Sequence, residues 1–325
     1  MNPANVTNRN VTAQIARLFV YPVKSCAGVE VQEALLTDTG LDLDRAWMVV
    51  DAQGTFMTQR EHPRLALVCP QVTPDELLLS TPGMQVLRIA LKVERQPLLV
   101  KIWDDEVPAF DMGDEAAQWL TEFLAMPNNR SHLPMTSAYR LVRFNPANRR
   151  ASSLQWTGGI QALNQFSDGF PLLVLSEASH AQLNERLVAA GHASVSIERF
   201  RPNVVLSGLQ AHDEDHLSEI YIDAGTAEVL LKPVKPCPRC PIPNVDPVTA
   251  QISQEVGDTL QTCRKDARVS GAVSFGMNTI MLRGVGVVLH VGQRVSADFD
   301  FGLLTISGQK WSVAKGNYLE IYFRS

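Results

Sequence analysis

The chain is short of cysteine, of net charge and of long apolar runs, and each shortage closes a class of function. Five cysteines in 325 residues are an odd number in a chain large enough to bury its own core. They do not make a disulfide framework, and they point to a reduced, cytoplasmic protein. No stretch reaches the roughly 18 apolar residues of a spanning helix, so no membrane is expected. The N-terminus has no apolar run behind a basic start, so no signal peptide is expected. Lys and Arg total 29 against 34 Asp and Glu, a net charge of -5. That balance excludes nucleic acid as an expected partner, and any anion must be held by a local cluster of cations. There is no Gly-rich phosphate loop, no dinucleotide fingerprint, no nucleophile elbow, no repeat and no low-complexity segment. The histidines form no ligand spacing. His212 and His216 are separated by Asp213, Glu214 and Asp215, which read as an acidic loop.

What is present is an ordinary soluble composition, 45% hydrophobic and 19% charged, with length for two domains. The first third reads mainly as strand. Ala46 to Val50 and Thr55 to Gln59 flank the turn Asp51-Ala52-Gln53-Gly54, a hairpin in which glycine supplies the turn geometry. Further short runs lie at Leu77 to Leu79, Val86 to Val93 and Leu98 to Trp103. Two helices stand out: Asp114 to Leu124, acidic at its start with apolar residues at helical spacing, and Ser176 to Ala190, with a capping serine and a closing Gly191. The polar stretch Asn145 to Gln165 reads as a long exposed loop at a domain junction. Beyond it, short strands at Asn203 to Ser207, Glu219 to Ile222, Ala227 to Leu231, Asn278 to Leu282 and Val285 to His290 point to a barrel.

The sharpest local feature is Pro236-Cys237-Pro238-Arg239-Cys240-Pro241-Ile242-Pro243. A zinc site requires a second ligand pair, and none follows. A thioredoxin-like pair opens a helix, and Val245 to Gln251 has no helical period. Two readings remain open: a proline-stiffened loop with buried thiols, and a preorganised thiolate, favoured by the cations Lys235 and Arg239, ligating a soft or high-valent metal. In Tyr21-Pro22-Val23-Lys24-Ser25-Cys26, Lys24 and Ser25 have the charge and hydroxyl to hold a phosphate, although a lysine after a strand is ordinarily a solvated end. By default Arg45 in Asp44-Arg45 and Arg201 in Phe200-Arg201-Pro202-Asn203 are surface residues, and Asp168 in Ser167-Asp168-Gly169-Phe170 is a turn acid.

In this order, and with Val245-Asp246-Pro247 following the cysteines, the motifs resemble the MOSC-domain proteins. Within them they are most similar to the mitochondrial amidoxime reducing component and its bacterial relatives. The resemblance covers residues 15 to 295. It implies a mixed α/β, strand-rich fold: an α/β MOSC N-terminal domain over 15–135, a connecting region over 136–165 and a β-barrel MOSC domain with peripheral helices over 166–296. A tail at 1–14 and an extension of unknown role at 297–325 flank them. It implies a molybdenum cofactor, with Cys240 as metal ligand and catalytic residue. Lys24, Ser25, Arg45, Arg201, Asn203 and Arg239 are the implied cofactor contacts, and Asp168 is the implied acid beside the metal. The implied reaction is reduction of small N-hydroxylated compounds. No cysteine follows Cys263, so no iron–sulfur cluster can follow the barrel. Electrons would come from a separate donor that is ferredoxin-, flavodoxin- or cytochrome b5-like, with its reductase. The competing reading is a cofactor or sulfur carrier without turnover. Cofactor sulfurases also end in this domain, but they add a pyridoxal-phosphate domain for which the chain has no room.

Overall fold

The computed structural model describes residues 9–91, 96–125, 139–225 and 227–301, and, as backbone strands only, 303–306, 309–313 and 321–322. His132 and the ends of the 1–14, 15–135, 136–165 and 297–325 segments lie partly or wholly outside these residues.

The strand Val11–Val20 alternates at its start, with Val11, Ala13 and Ile15 buried and Thr12 and Gln14 exposed. That is the period of a strand with one face on a core. It pairs antiparallel with Val204–Ser207 on one side and Arg294–Phe299 on the other. The ring continues through Leu217–Ala224, Ala227–Pro238 and Ala272–Arg283 to Leu172–Ser176, which pairs with Val204–Ser207 and closes a seven-stranded barrel. Leu18, Leu36, Leu172, Leu206, Ile220, Val229, Leu231 and Val295 fill its core. The pair Leu172–Ser176 and Val204–Ser207 is parallel. Parallel neighbours require a crossover, and the helix Glu177–Ala189 supplies it, its N-terminus capped by Ser176, whose side chain accepts from the Ser179 amide.

The sequence expectation of a barrel holds, with one difference in how the chain builds it. Val11–Val20 precedes and overlaps the start of the expected N-terminal domain, yet it is a full barrel strand. Sequence periodicity shows that it has a buried face but not which distant strand it meets. The remaining N-terminal residues form a four-stranded antiparallel sheet of Trp47–Val50, Arg140–Phe144, Asp105–Asp111 and Pro97–Ile102. A three-stranded sheet of Cys69–Val72, Glu76–Ser80 and Leu87–Ala90 lies in the same half of the chain. The helix Asp114–Ala125 buries Trp119, Leu120 and Phe123 with Trp47, Leu65 and Leu77 in a second core. The expected turn at Asp51 to Gly54 is present, with Gly54 at φ +78.

Two readings are corrected. The stretch 145–165 is not simply an exposed loop. It carries the helix Leu154–Thr157 and buries Ser152, Thr157, Leu163 and Asn164. Its Arg150 donates to the carbonyls of Gln165 at 2.9 Å and Ser167 at 2.7 Å. The acids between His212 and His216 form a buried turn. Glu214 accepts from the Ser176 hydroxyl at 2.8 Å, and Asp215 pairs with Arg264 at 2.5 Å. A cap and a cation compensate charges that in sequence read as solvated.

Gly276 sits in a barrel strand at φ +78, and a Cβ there would lie 2.9 Å from the Val174 carbonyl oxygen. Left-handed backbone alone costs a side chain about 1–2 kcal/mol. Gly276→Ala should therefore destabilise the protein by about 2 kcal/mol or more in urea unfolding. An unchanged midpoint would show that the barrel seam tolerates a side chain there.

Candidate active-site cleft

The parallel pair sets the geometry of the site. Because Leu172–Ser176 and Val204–Ser207 run the same way, the segments entering them, which carry Asp168 and Arg201, lie at the same end of the barrel. Val11–Val20 runs opposite to Val204–Ser207, with Leu18 beside Val204, so the segment leaving it, Tyr21 to Cys26, reaches that end too. Tyr21 to Lys24 is then stitched to Arg45 and Trp47. The Arg45 amide donates to the Tyr21 carbonyl at 2.8 Å, the Trp47 amide to Pro22 at 3.0 Å and the Lys24 amide to Trp47 at 2.8 Å.

A cleft of about 780 Å³ opens here, between the barrel and the N-terminal sheets. It is lined by Lys24, Ser25, Arg45, Asp168, Arg201, Asn203, Arg239 and Cys240, so the fold brings together the residues that the resemblance implied for the cofactor and the metal. Its walls carry eight Lys and Arg against three Asp, the reverse of the balance of the whole chain. The lining side chains that motif reading missed include Arg60, Trp103, Arg150 and Arg199.

The Tyr21 ring organises the cations. The Arg45 guanidinium lies 4.4 Å from its centroid and that of Arg201 lies 4.2 Å away. Even a methyl group at Gly28 would collide with the Tyr21 ring, so glycine is what lets the ring sit there. Asp44 is the buried counter-charge, accepting from the Tyr21 amide at 2.8 Å and from Arg45. Arg45 also donates to the Asn203 side-chain oxygen at 3.1 Å. Arg201 donates to the Cys26 carbonyl at 2.6 Å, and its Nη2 is buried without a partner. Burial, with the neighbouring Arg45 charge, pushes the Arg201 guanidinium down to about 10. Arg199 Nε and Ser167 Oγ are also buried and unpartnered. Ser25, Arg45, Trp103 and Arg201 line the cleft in left-handed backbone, with φ of +67, +51, +55 and +57. Such strain, about 1–3 kcal/mol each, persists where the surroundings over-determine the backbone.

Two expected contacts prove to be braces in this geometry. The Asn203 oxygen accepts from Arg45 and from the Leu173 amide at 3.1 Å, and its nitrogen donates to the Phe19 carbonyl at 3.2 Å. Arg239 donates to Phe200 at 2.9 Å and to Phe275 at 2.9 Å from Nε, with a second bond from Nη2. With Arg199 donating to Asp246 at 2.7 Å and to the Pro243 carbonyl at 3.3 Å, it clamps both sides of the Cys240 segment onto residues 199–201. Cys240 is exposed at the cleft. Burial pushes the Cys26 thiol up to about 12 and raises that of Cys237. Among the described residues no three of His, Cys, Asp and Glu gather as a metal-holding group. The described residues thus offer Cys240 no companion ligands for a metal.

Lys24 is buried and donates to Asp168 at 2.5 Å. Burial lowers its proton affinity, and Asp168 opposes that. The Asp168 side chain is 69% exposed at the cleft; partial desolvation works upward, but the Lys24 charge, the bonds from Lys24 and Trp103, and Arg45 outweigh it and hold the carboxyl at about 2. At neutral pH this residue is a carboxylate, an acceptor and not a resting proton donor.

Comparison with known proteins fits this geometry. The MOSC N-terminal beta barrel domain matches residues 12–127 and the MOSC domain matches residues 162–296. Mitochondrial amidoxime reducing component 2 of Rattus norvegicus is 34% identical over 261 residues, covering 77% of this chain and 72% of the relative. Mitochondrial amidoxime-reducing component 1 of Homo sapiens is 36% identical over 260 residues with the same coverage. Molybdenum cofactor sulfurase of Bos taurus is 28% identical over 294 residues, covering 86% of this chain and 32% of that protein.

Asp168 binds a proton less readily folded than unfolded, about 2 against an ordinary 3.8. The stability it contributes is therefore complete above about pH 5 and is lost as pH falls through about 2. The stability gap between wild type and Asp168→Asn, from urea titrations, should be flat from about pH 7 to 5 and shrink below about pH 4. A gap that closes between about pH 7 and 5 would mean that the carboxyl titrates near neutrality after all.

Proposed function

The chain belongs to the MOSC-domain proteins, beside the mitochondrial amidoxime reducing components, and from that premise we propose that it is a molybdenum-cofactor-dependent reductase of N-hydroxylated compounds. The observation that carries this reading is the coincidence in one cleft of an exposed Cys240 with a surplus of cations, one of which, Arg201, keeps a buried N–H without a partner. A buried unpaired donor is costly unless a ligand satisfies it, and a cationic wall of this size suits an anion bearing a phosphate.

The donor set fits the cofactor. Cys240 would ligate the metal, with no competing cluster of ligands among the described residues. Arg45, Arg201, Lys24 and Ser25 would hold the phosphate and the pterin, with Asn203 and Arg239 as braces that set Arg45 and the cysteine segment. When bound, the cofactor supplies the redox chemistry, taking electrons singly and delivering two to an N–O bond. The chain supplies position and charge. Asp168 accepts an N–H of the substrate, and the proton for the departing oxygen is held at Lys24 Nζ, the donor paired with it. The net reaction is R–NHOH plus two electrons and two protons giving R–NH2 and water. A separate one-electron donor protein provides the electrons. No helix among the described residues is long and apolar enough to cross a membrane. The reading as a cofactor or sulfur carrier draws on the likeness to the sulfurase. It uses the same cleft and differs in having no turnover.

The cofactor-loaded protein should reduce benzamidoxime to benzamidine with reduced viologen as donor. Loss of a metal ligand should exceed the roughly 10–100-fold cost of losing an outer partner, so Cys240→Ala should abolish turnover and lower molybdenum content. Cys237→Ala should retain a measurable fraction. Full activity in Cys240→Ala, or equal loss in both variants, would sink the ligand assignment. A loaded wild type that never turns over would favour the carrier.

A further inference from the structure

Trp103 is unlike every other exposed large apolar side chain among the described residues. Ten large hydrophobic residues are exposed among the described residues, and of these only Trp103 lines the cleft. It is 47% exposed, whereas Trp47 and Trp119 are buried. It sits at the tip between the paired strands Pro97–Ile102 and Asp105–Asp111. There it is held in left-handed backbone at φ +55, a conformation in which a bulky residue is an outlier.

The ring is fixed from several sides. Phe56 packs against it with centroids 5.0 Å apart, tilted by 56°. The Arg60 guanidinium lies 4.8 Å from the centroid. The indole N–H donates to Asp168 Oδ1 at 3.2 Å. Exposed aromatic surface fixed by strain, stacking and a hydrogen bond pays no ordering entropy when a ligand arrives, which is the property of a recognition platform. The same Asp168 Oδ1 receives Lys24, so Oδ2 has no partner among the described residues. Asp168 also stands close enough to the cysteine pair for its charge to act on the Cys237 thiol. A flat aromatic face and a free carboxylate oxygen are thus joined at one point, beside the proposed metal ligand.

We propose that Trp103 is a stacking platform that selects aromatic over aliphatic substrates. The ring of the substrate lies on the indole, and its amidine-type N–H groups donate to Asp168 Oδ2. This rests on the reading of the cleft as the site of N–O reduction. It assigns the hairpin tip, contributed by the N-terminal half of the chain, as the specificity-determining element. The barrel half carries the residues proposed to hold the metal.

The test compares two amidoximes that differ only in ring or methyl, benzamidoxime and acetamidoxime. It uses the cofactor-loaded wild type, Trp103→Ala and Trp103→Phe. Stacking of this kind is worth about tenfold in selectivity. Trp103→Ala should lower the benzamidoxime-to-acetamidoxime ratio of kcat/KM by about tenfold, mainly through KM for the aromatic substrate, and Trp103→Phe should restore most of it. Molybdenum content should be the same in all three proteins. A ratio unmoved in Trp103→Ala overturns the proposal, as does a fall in ratio that tracks loss of molybdenum. If the loaded wild type reduces neither compound, the reductase reading fails. Calorimetric binding of the same pair then decides the platform. Benzamidoxime should bind wild type about tenfold tighter than acetamidoxime, and the two should bind Trp103→Ala alike. Equal binding by wild type overturns it.

Discussion

An odd number of strands cannot close into a ring by antiparallel pairing alone. Seven strands force at least one parallel pair, and here the single exception is Leu172–Ser176 beside Val204–Ser207. Everything proposed for the cleft follows from that pair. Parallel strands enter from the same end, so two segments far apart in sequence deliver Asp168 and Arg201 to one rim. The crossover helix Glu177–Ala189 is required by the same parity, and its cap Ser176 ties down the buried Glu214. Val11–Val20, antiparallel to Val204–Ser207, then delivers Lys24 and Ser25 to the rim as it leaves the ring.

The second constraint is electrostatic. Arg45 and Arg201 lie on one tyrosine ring, and one buried carboxylate, Asp44, pairs with Arg45. Like charges brought together out of water raise the free energy of the folded chain unless something neutralises them. Asp44 neutralises one, and Asp168 is taken by Lys24. A surplus remains in a protein whose net charge is -5. The surrounding surface therefore does not attract anions as a whole, and the cleft does so locally. A bound dianionic phosphate would offset the surplus and satisfy the Arg201 N–H, so folding and ligand binding would stabilise each other.

Much of this was legible in the sequence where chemistry is written locally. Two cysteines in a proline-rich segment, a lysine and serine leaving a strand, and an arginine before a proline and asparagine are short patterns whose order picked out residues that the fold brings to one cleft. The barrel was legible as a series of short apolar runs. What was not legible depends on contacts between distant segments. Nothing around Arg150 distinguishes it from its neighbour Arg149, yet one clamps the Asp168 loop and the other makes an exposed pair with Asp38. Asp213 to Asp215 looked solvated because the compensating Arg264 lies 49 residues away from Asp215. Asn203 and Arg239 were legible as polar residues at the site, but their hydrogen bonds, which make them braces, were not.

The interleaving of the chain bears on how the site is kept. The first barrel strand is made before the N-terminal sheets, and the other six come after them. The N-terminal half is therefore an excursion between two strands that lie on either side of Val204–Ser207 in one ring, anchored at both ends to the barrel. Such an insertion is held in register by the strands that flank it, without needing a large interface of its own. The stitching of Tyr21 to Lys24 onto Arg45 and Trp47 extends that anchoring into the N-terminal sheet. This fixes the far wall of the cleft, where Thr58, Arg60 and Trp103 stand, relative to Cys240 on the barrel wall. A cleft between two freely jointed domains would vary in width. Here the N-terminal wall is tied at both of its ends to strands of one closed ring, which limits how far it can swing from the barrel wall. That rigidity is what a site needs when it must hold a planar cofactor and a small substrate in fixed relation.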